Sequence, residues 1–311
     1  MLRRRLRTAA CATSSIWLPV ARASRLTGFL NPTAFFAVLI WSAIAPFSKY
    51  ALADFPALSF MAFRMSVAAV AVFAYLAIRR QPATIERSDI PSFLLAGIVF
   101  FGMSTVLFTE GLAHTTVAHM VIISSTSPLL GAVYRWLAKG DRPDRRSLVA
   151  MMIGFAGVII VVSDASAAEG ASVLGDLMGL VSASLWVGMT IYPQPLVKKY
   201  GALRSTAWFI AMSLLLIVPL SLPTIGSVIE GPPPSLAWGA LLYAAMGTLV
   251  GNTLWQSAVQ QVGPVRTLVY LYLQPFFSLA IAAIVLGDRL TPVQAVGGVL
   301  AIGGVMLVKK R

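Results

Sequence analysis

Residues 127–143 read SPLLGAVYRWLAKGDRP, and residues 274–290 read QPFFSLAIAAIVLGDRL. In both stretches a proline within an apolar run is followed twelve residues later by Gly-Asp-Arg. The two prolines are 275 − 128 = 147 residues apart, and at this offset residues 94–161 align with residues 241–308 without a gap. Only 11 of these 68 pairs are identical, so the fixed spacing of the rarer residues carries the comparison. The spacing indicates that the chain contains a duplicated unit.

The composition places this duplicated unit in a membrane. Of the 311 residues, 58% are hydrophobic and 11% are charged, and the mean hydropathy is +0.83. Soluble domains carry about 25% charged residues. At roughly 20 residues for each helical span, the chain can cross a bilayer ten times and still supply its loops.

Long runs without charged residues mark the predicted spans, because a charge at the bilayer centre costs at least ~2.5 kcal/mol. Nine runs have no charge: 26–48, 90–109, 111–134, 147–163, 177–197, 205–229, 231–265, 267–287 and 290–308. A tenth, 55–78, is interrupted only by Arg64. Polar and apolar residues do not alternate along these runs as they do in the strands of a membrane barrel. We therefore predict an all-α integral membrane protein with ten transmembrane helices.

The distribution of basic residues predicts the orientation of these helices. With the N-terminus placed inside, twenty of the 24 Lys and Arg residues fall on the inner side, as the positive-inside rule requires. We therefore expect cytoplasmic N- and C-termini. The formal charge of +13 does not indicate a nucleic-acid partner, because the basic residues form short clusters between apolar runs.

Each copy of the duplicated unit contains five predicted helices, so the second copy enters the membrane from the opposite side. The loop charges agree, since residues 139–146 sum to +2 and the equivalent residues 286–293 sum to zero. The predicted organisation is a basic cytoplasmic tail (1–30), a first repeat (31–164) and a second repeat (174–309). The tail's composition also allows a transit peptide or a misassigned start. Inverted repeats of this kind are typical of secondary transporters.

The sequence also resembles a known family, the EamA-type members of the drug/metabolite transporter superfamily. The two proline stretches quoted above resemble the family's fourth and ninth helices, although Gly-Glu-Arg is commoner there than Gly-Asp-Arg. The stretches MIGFAGVIIVVS (152–163) and AVGGVLAIGGVMLV (295–308) resemble its glycine-rich closing helices. The resemblance implies an exporter of amino acids, related metabolites or toxic compounds across the bacterial inner membrane. We expect a monomer or homodimer in contact with membrane lipids, with a small-molecule substrate.

Three polar residues inside the predicted spans are candidates for solute binding or proton coupling. Arg64 lies about 12 Å below the outer end of the second helix. It could pair with Glu110, contact a ligand, or extend to the outer headgroups. His119, one turn into the fourth helix, and Glu110 could each titrate in a proton-coupled exporter, although a histidine bonded at the interface is the plainer interpretation.

Two prolines and a set of polar and aromatic residues outline a predicted central cavity. Pro128 and Pro275 lie near the middles of their predicted helices, where they would form hinges or static kinks. The predicted cavity residues are Trp41, Trp186, Thr190, Asn252, Gln256, Tyr270 and Gln274. Aromatic walls with few charges suit an amphipathic organic solute of moderate size.

Other functions receive less support from the sequence. It has no HExxH, GxSxG or Walker A motif, and its single cysteine excludes a metal site built from cysteines. We therefore predict no enzyme activity, no cofactor and no metal. The spans lack the charge rings of a channel. A translocator of a lipid-linked precursor could share this fold and remains an alternative, and an integral membrane enzyme is a weaker one.

Overall fold

A computed structural model of the chain describes residues 31–140 and 172–285, together with scattered residues between 145 and 160 and between 291 and 300. Within these residues the regular structure is helical throughout, with no strand, which confirms the all-α prediction there. The helices are α1 (Pro32–Ala51), α2 (Ala57–Ile78), α3 (Arg87–His114), α4 (Val117–Ser124), α5 (Ser127–Lys139), α6 (Val173–Ile191), α7 (Gln194–Tyr200), α8 (Ala202–Glu230), α9 (Ser235–Val262), α10 (Pro264–Leu268) and α11 (Gln274–Val285).

Six helical stretches in the described part of the chain are long and apolar enough to cross a membrane. They are Pro32–Ala51, Ala57–Ile78, Arg87–His114, Val117–Leu137, Val173–Ile191 and Ala202–Glu230. The described residues of the predicted spans 1–4 and 6–9 lie mostly on helices. The predicted fifth and tenth spans (147–163 and 290–308) and the basic tail (1–30) lie wholly or largely outside the described residues.

The two helices that contain the repeated prolines are interrupted, and the interruptions fall at equivalent positions. Residues 125 and 126 form a turn between α4 and α5, and Val269–Leu273 forms a 3₁₀ segment between α10 and α11. Pro128 and Pro275 each occupy the second residue of the helix that follows. Pro128 lies near the middle of the membrane-length stretch Val117–Leu137, so the interruption divides this predicted helix directly before its proline. In the first turn of a helix the missing N–H has no intrahelical partner to lose, so proline is well tolerated there.

Helix α3 contains a long π-helical segment, Leu95–Met103, that the sequence did not predict. Two glycines in it allow close contact with α8, because a Cβ at Gly97 would lie 2.4 Å from Met212 Cβ and one at Gly102 would lie 3.2 Å from Ser213 Cβ. Small residues of this kind let membrane helices approach closely, and packing rather than the hydrophobic effect then holds them together.

Helices from the two halves of the chain pack directly against each other. Helix α2 contacts α8 and α9, and α3 contacts α6 and α8. The largest fully buried side chains at these contacts include Phe60, Phe93, Phe209 and Trp255. The core therefore lies between residues of the first predicted repeat and residues of the second, and this interface contains the candidate site.

Candidate functional site

A cavity lies where α1, α2, α3 and α6 meet α9 and the interrupted helices. Its volume is about 130 Å³. This is enough for several water molecules but lies below the ~300–1,000 Å³ of most small-molecule sites. The cavity therefore suits a small organic solute, and a larger solute would require the cavity to widen.

Three tryptophans pack together at this cavity. The rings of Trp41 and Trp186 meet edge to face with centroids 5.1 Å apart, and both line the wall. Trp255 lies behind them, 5.1 Å from Trp41 and 6.2 Å from Trp186. Its Nε1 donates to Thr190 Oγ1 at 3.2 Å. Trp41 packs against Gly251, where a Cβ would lie only 2.2 Å from Trp41 Nε1. The hydrogen bond of Trp255 and the packing of Trp41 on Gly251, which has no side chain, thus fix the position of the aromatic wall.

Residues related by the repeat offset of 147 line the same cavity. The pairs are Phe101 and Thr248, Thr105 and Asn252, Ser124 and Leu271, and Ser127 and Gln274. Trp41 and Trp186, which lie in the first helices of their predicted repeats, are a fifth pair at an offset of 145. Equivalent faces of the two halves therefore meet at one cavity. The sequence contains the repeat offset, but nothing else in it marks Phe101 and Thr248 as cavity residues.

Arg64 lies on the cavity wall and is 3% exposed. Its guanidinium carbon is 5.7 Å from the centroid of the Phe60 ring. Its Nε has no hydrogen-bond partner, and no salt bridge joins it to Glu110 or to any other described acidic residue. The predicted pairing with Glu110 is therefore absent. Extension to the outer headgroups is absent too, because α2 turns Arg64 into the bundle.

The structure separates the predicted cavity residues into two groups. Trp41, Trp186, Asn252 and Gln274 lie on the wall. Thr190, Gln256 and Tyr270 do not: Thr190 supports Trp255, and Gln256 Oε1 accepts a hydrogen bond from Gln194 Nε2 at 3.0 Å. Sequence spacing placed these residues in the right helices, but the rotation of each helix decides which side chains reach the cavity. The structure also adds wall residues that were not predicted, among them Ser182.

A buried polar cluster lies at the end of the bundle where α3 ends and α4 begins. His119 Nδ1 is 3.2 Å from Asp176 Oδ2, and Thr115 Oγ1 donates to Asp176 Oδ1 at 2.8 Å. Nearby, Lys49 Nζ donates to the carbonyl oxygens of Leu112 and Thr115, at the C-terminus of α3. Cations are favourable at helix C-termini. The sequence marks His119 but not Asp176, which directly precedes the charge-free run 177–197.

The opposite end of α3 carries a second charged cluster. Lys199 Nζ lies 2.8 Å from Asp89 Oδ2 and 2.7 Å from Glu86 Oε2. Tyr200 Oη donates to Asp89 Oδ2 at 2.6 Å. Hydrogen bonds to Asp89 and Glu86 raise the pKa of the Lys199 ammonium above its ordinary value. Polar contacts between the two halves thus lie at both ends of the bundle, with the cavity between them.

Comparison with known proteins identifies the family of this chain. Residues 30–163 and 173–309 match the EamA-like transporter family. An uncharacterized transporter of Bacillus subtilis (strain 168), YdeK, is 31% identical over 84% of this chain and 90% of its own length. A relative in Streptantibioticus cattleyicolor, named a probable terminal-alkyne amino-acid exporter, is 23% identical over 88% of this chain and 91% of its own.

A solved crystal structure shows the same fold, with a TM-score of 0.70 at 17% identity over 89% of this chain and 95% of that one. The matched relatives are named as transporters and not as enzymes. A transporter of this kind lies in contact with membrane lipids and acts on a small-molecule substrate. The chain is a membrane protein that belongs to the EamA-like transporter family.

Proposed function

We propose that this protein is a secondary transporter that exports amino acids or related small organic solutes across the bacterial inner membrane by alternating access. The observation that carries the proposal is the cavity between the two halves of the chain, lined by residue pairs at the repeat offset. Secondary transporters with inverted repeats bind their solutes at such an interface. The amino-acid exporter among the relatives supports the proposed solute class.

The architecture that we propose is ten transmembrane helices in two inverted repeats, residues 31–164 and 174–309, with both termini cytoplasmic. The edge-to-face contact of Trp41 with Trp186 supports it, since equivalent residues of inverted repeats meet near their symmetry axis. The matching interruptions in the fourth and ninth predicted helices support it too. Discontinuous helices at the binding site recur in transporters of this design.

The interruptions beside Pro128 and Pro275 are the proposed hinges. Each lies next to cavity residues, Ser124 and Ser127 in the first half and Leu271 and Gln274 in the second. Rotation about these points would reshape the cavity while α1, α2 and α6 stay intact. The polar clusters at the two ends of the bundle would then open in turn, the Lys199 cluster on one side and the Asp176 cluster on the other.

Proton coupling, if export uses it, is proposed to involve His119 with Glu110 as a second candidate. His119 is fully buried, and its Nε2 has no hydrogen-bond partner among the described residues. Histidine is a common proton carrier in transporters. The contact of its Nδ1 with the Asp176 carboxylate ties α4 to α6.

Reconstitution tests the proposal. Purified protein in liposomes is loaded with a panel of radiolabelled amino acids, nucleosides and organic cations, with and without a pH gradient. We expect saturable efflux of at least one amino acid or related solute and accelerated exchange when unlabelled solute is present on the opposite side. Absence of flux for the whole panel, or linear flux without exchange as in a channel, would contradict the proposal.

A further inference from the structure

We infer that the cavity selects solutes that carry a single carboxylate, with Arg64 binding the carboxylate and the tryptophan wall packing against an apolar part of the solute. This inference rests on the proposed transport function, because it names the class of solute taken by the same cavity. It goes further by assigning one residue to one chemical group.

Arg64 has no anionic partner among the residues that the structure describes. Among the described residues that line the cavity it is the only charged side chain, and the others are aromatic, aliphatic, hydroxyl or amide groups. It is 3% exposed, and its Nε lacks a hydrogen-bond partner among the described residues. A guanidinium stays charged in proteins, and a buried charge without a paired anion is costly. An anionic solute in the cavity would supply that partner.

The duplicated fold does not require this charge. At the offsets of 145 and 147 that relate the two halves, the counterparts of Arg64 are Phe209 and Ala211, and Ile210 lies between them. These residues lie in α8, which packs against α2. Helix α8 itself has no charged residue at this depth. Since one half folds with apolar residues at this position, Arg64 serves something other than the helix packing that both halves share.

The chemistry of the site favours a carboxylate over other anions. The planar guanidinium presents paired N–H groups that match the two oxygens of a carboxylate. One positive charge neutralises one negative charge, whereas a phosphate monoester brings nearly two and would leave an excess in an apolar cavity. Trp41 and Trp186 provide large apolar faces on the same wall. The fitting solute is an amphipathic monocarboxylate.

Isothermal titration calorimetry with protein in lipid nanodiscs tests this inference with a matched pair of probes. The probes are 3-phenylpropionate and 3-phenylpropanamide, which share shape and ring but differ in charge, and empty nanodiscs correct for partition into lipid. We expect wild-type protein to bind the acid at least about tenfold more tightly than the amide, since hydrogen bonds to charged groups are the strong ones. Equal affinities, or no binding of the acid, would overturn the inference.

Variants then assign the selectivity to Arg64. We expect Arg64→Gln to reduce the preference for the acid to less than about twofold and Arg64→Lys to keep part of it. Arg79→Gln removes the same charge from an exposed position just beyond the end of α2, and it should keep the full preference. If Arg64→Gln folds and keeps the preference, the assignment is wrong. If Arg64→Gln fails to fold, the wild-type comparison and Arg64→Lys decide the question: a preference for the acid in Arg64→Lys as large as that of wild-type protein overturns the role of the planar guanidinium.

Flux measurements with the same two probes separate this inference from the proposed function. Equal flux of the acid and the amide through reconstituted wild-type protein would leave transport standing and overturn the role of Arg64. A tenfold preference in binding without flux of any solute would support the assignment of Arg64 and contradict the transport function.

Discussion

Replacing Gly251 with alanine should damage the aromatic wall of the cavity in a way that a matched glycine on the same helix does not. A Cβ at Gly251 would lie 2.2 Å from Nε1 and 2.7 Å from Cδ1 of Trp41, whereas carbon atoms pack at ~3.5–4.0 Å. Trp41 would have to move by more than an ångström. Gly239 also lies inside α9, and a Cβ there would meet nothing within 4 Å.

The magnitude follows from comparing the two variants. Both substitutions gain the same helix propensity, up to about 1 kcal/mol, so this gain cancels in the difference. Overpacking costs about 1–3 kcal/mol. Displacement of Trp41 also weakens its contacts with Trp186 and Trp255, each worth about 0.5–1.5 kcal/mol. We expect Gly251→Ala to be less stable than Gly239→Ala by about 1–3 kcal/mol, because partial relaxation recovers some of the total.

Reversible unfolding by SDS in mixed micelles measures the free energy of unfolding of both variants and of wild-type protein. Adding Trp41→Phe to Gly251→Ala should restore part of the lost stability, because the smaller ring leaves space for the Cβ. Stabilities of the two alanine variants within about 0.5 kcal/mol of each other would refute the proposed packing of Trp41 on Gly251.

Three further perturbations test the ends of the bundle and the interruptions. His119→Gln should abolish acceleration of efflux by a pH gradient while keeping solute exchange, and Asp176→Asn should weaken the acceleration; an unchanged pH response in both would exclude coupling at this pair. The carboxylate partners of Lys199 raise its pKa. The stability that its ion pairs contribute is therefore complete below the ordinary lysine pKa and is lost only at higher pH. The loss of stability in Lys199→Gln should therefore be equal at about pH 6 and pH 9 in thermal unfolding, and a difference that changes between these pH values would contradict the assignment. Pro128→Ala and Pro275→Ala should each change the free energy of unfolding by no more than about 1 kcal/mol, since both prolines occupy first turns, whereas changes of about 3 kcal/mol would indicate interior prolines.

The helical spans could be predicted from the sequence because lipid imposes a strong rule. Every backbone polar group must be bonded within its own helix, so long apolar runs become helices whatever their neighbours are. The interruptions could not be located in this way, since Pro128 in an apolar run is compatible with a kink in the middle or with a new helix start. The π-helical segment Leu95–Met103 depends on close packing against α8, which no local pattern records.

The candidate site was predictable only where rarity or repetition marked a residue. Arg64 stood out as a lone charge, and Trp41 and Trp186 as a repeated pair. Asp176 did not, because its contact with His119 depends on the approach of α6 to α3 at Gly175, where a Cβ would lie 2.9 Å from the Gly111 carbonyl oxygen. That approach brings the first turn of α6 next to Thr115, and it is a property of the folded bundle.

Alternating access of the cavity is the central claim, and cysteine labelling from the two sides of the membrane tests it most directly. The chain has one cysteine, so Cys11→Ser gives a cysteine-free background into which Thr105→Cys places a thiol on the cavity wall. A membrane-impermeant maleimide is applied to one side of proteoliposomes of defined orientation, with or without a transported solute. We predict labelling from either side, with transported solute shifting the ratio of the two rates. Labelling from one side only, at every solute concentration, would contradict the claim.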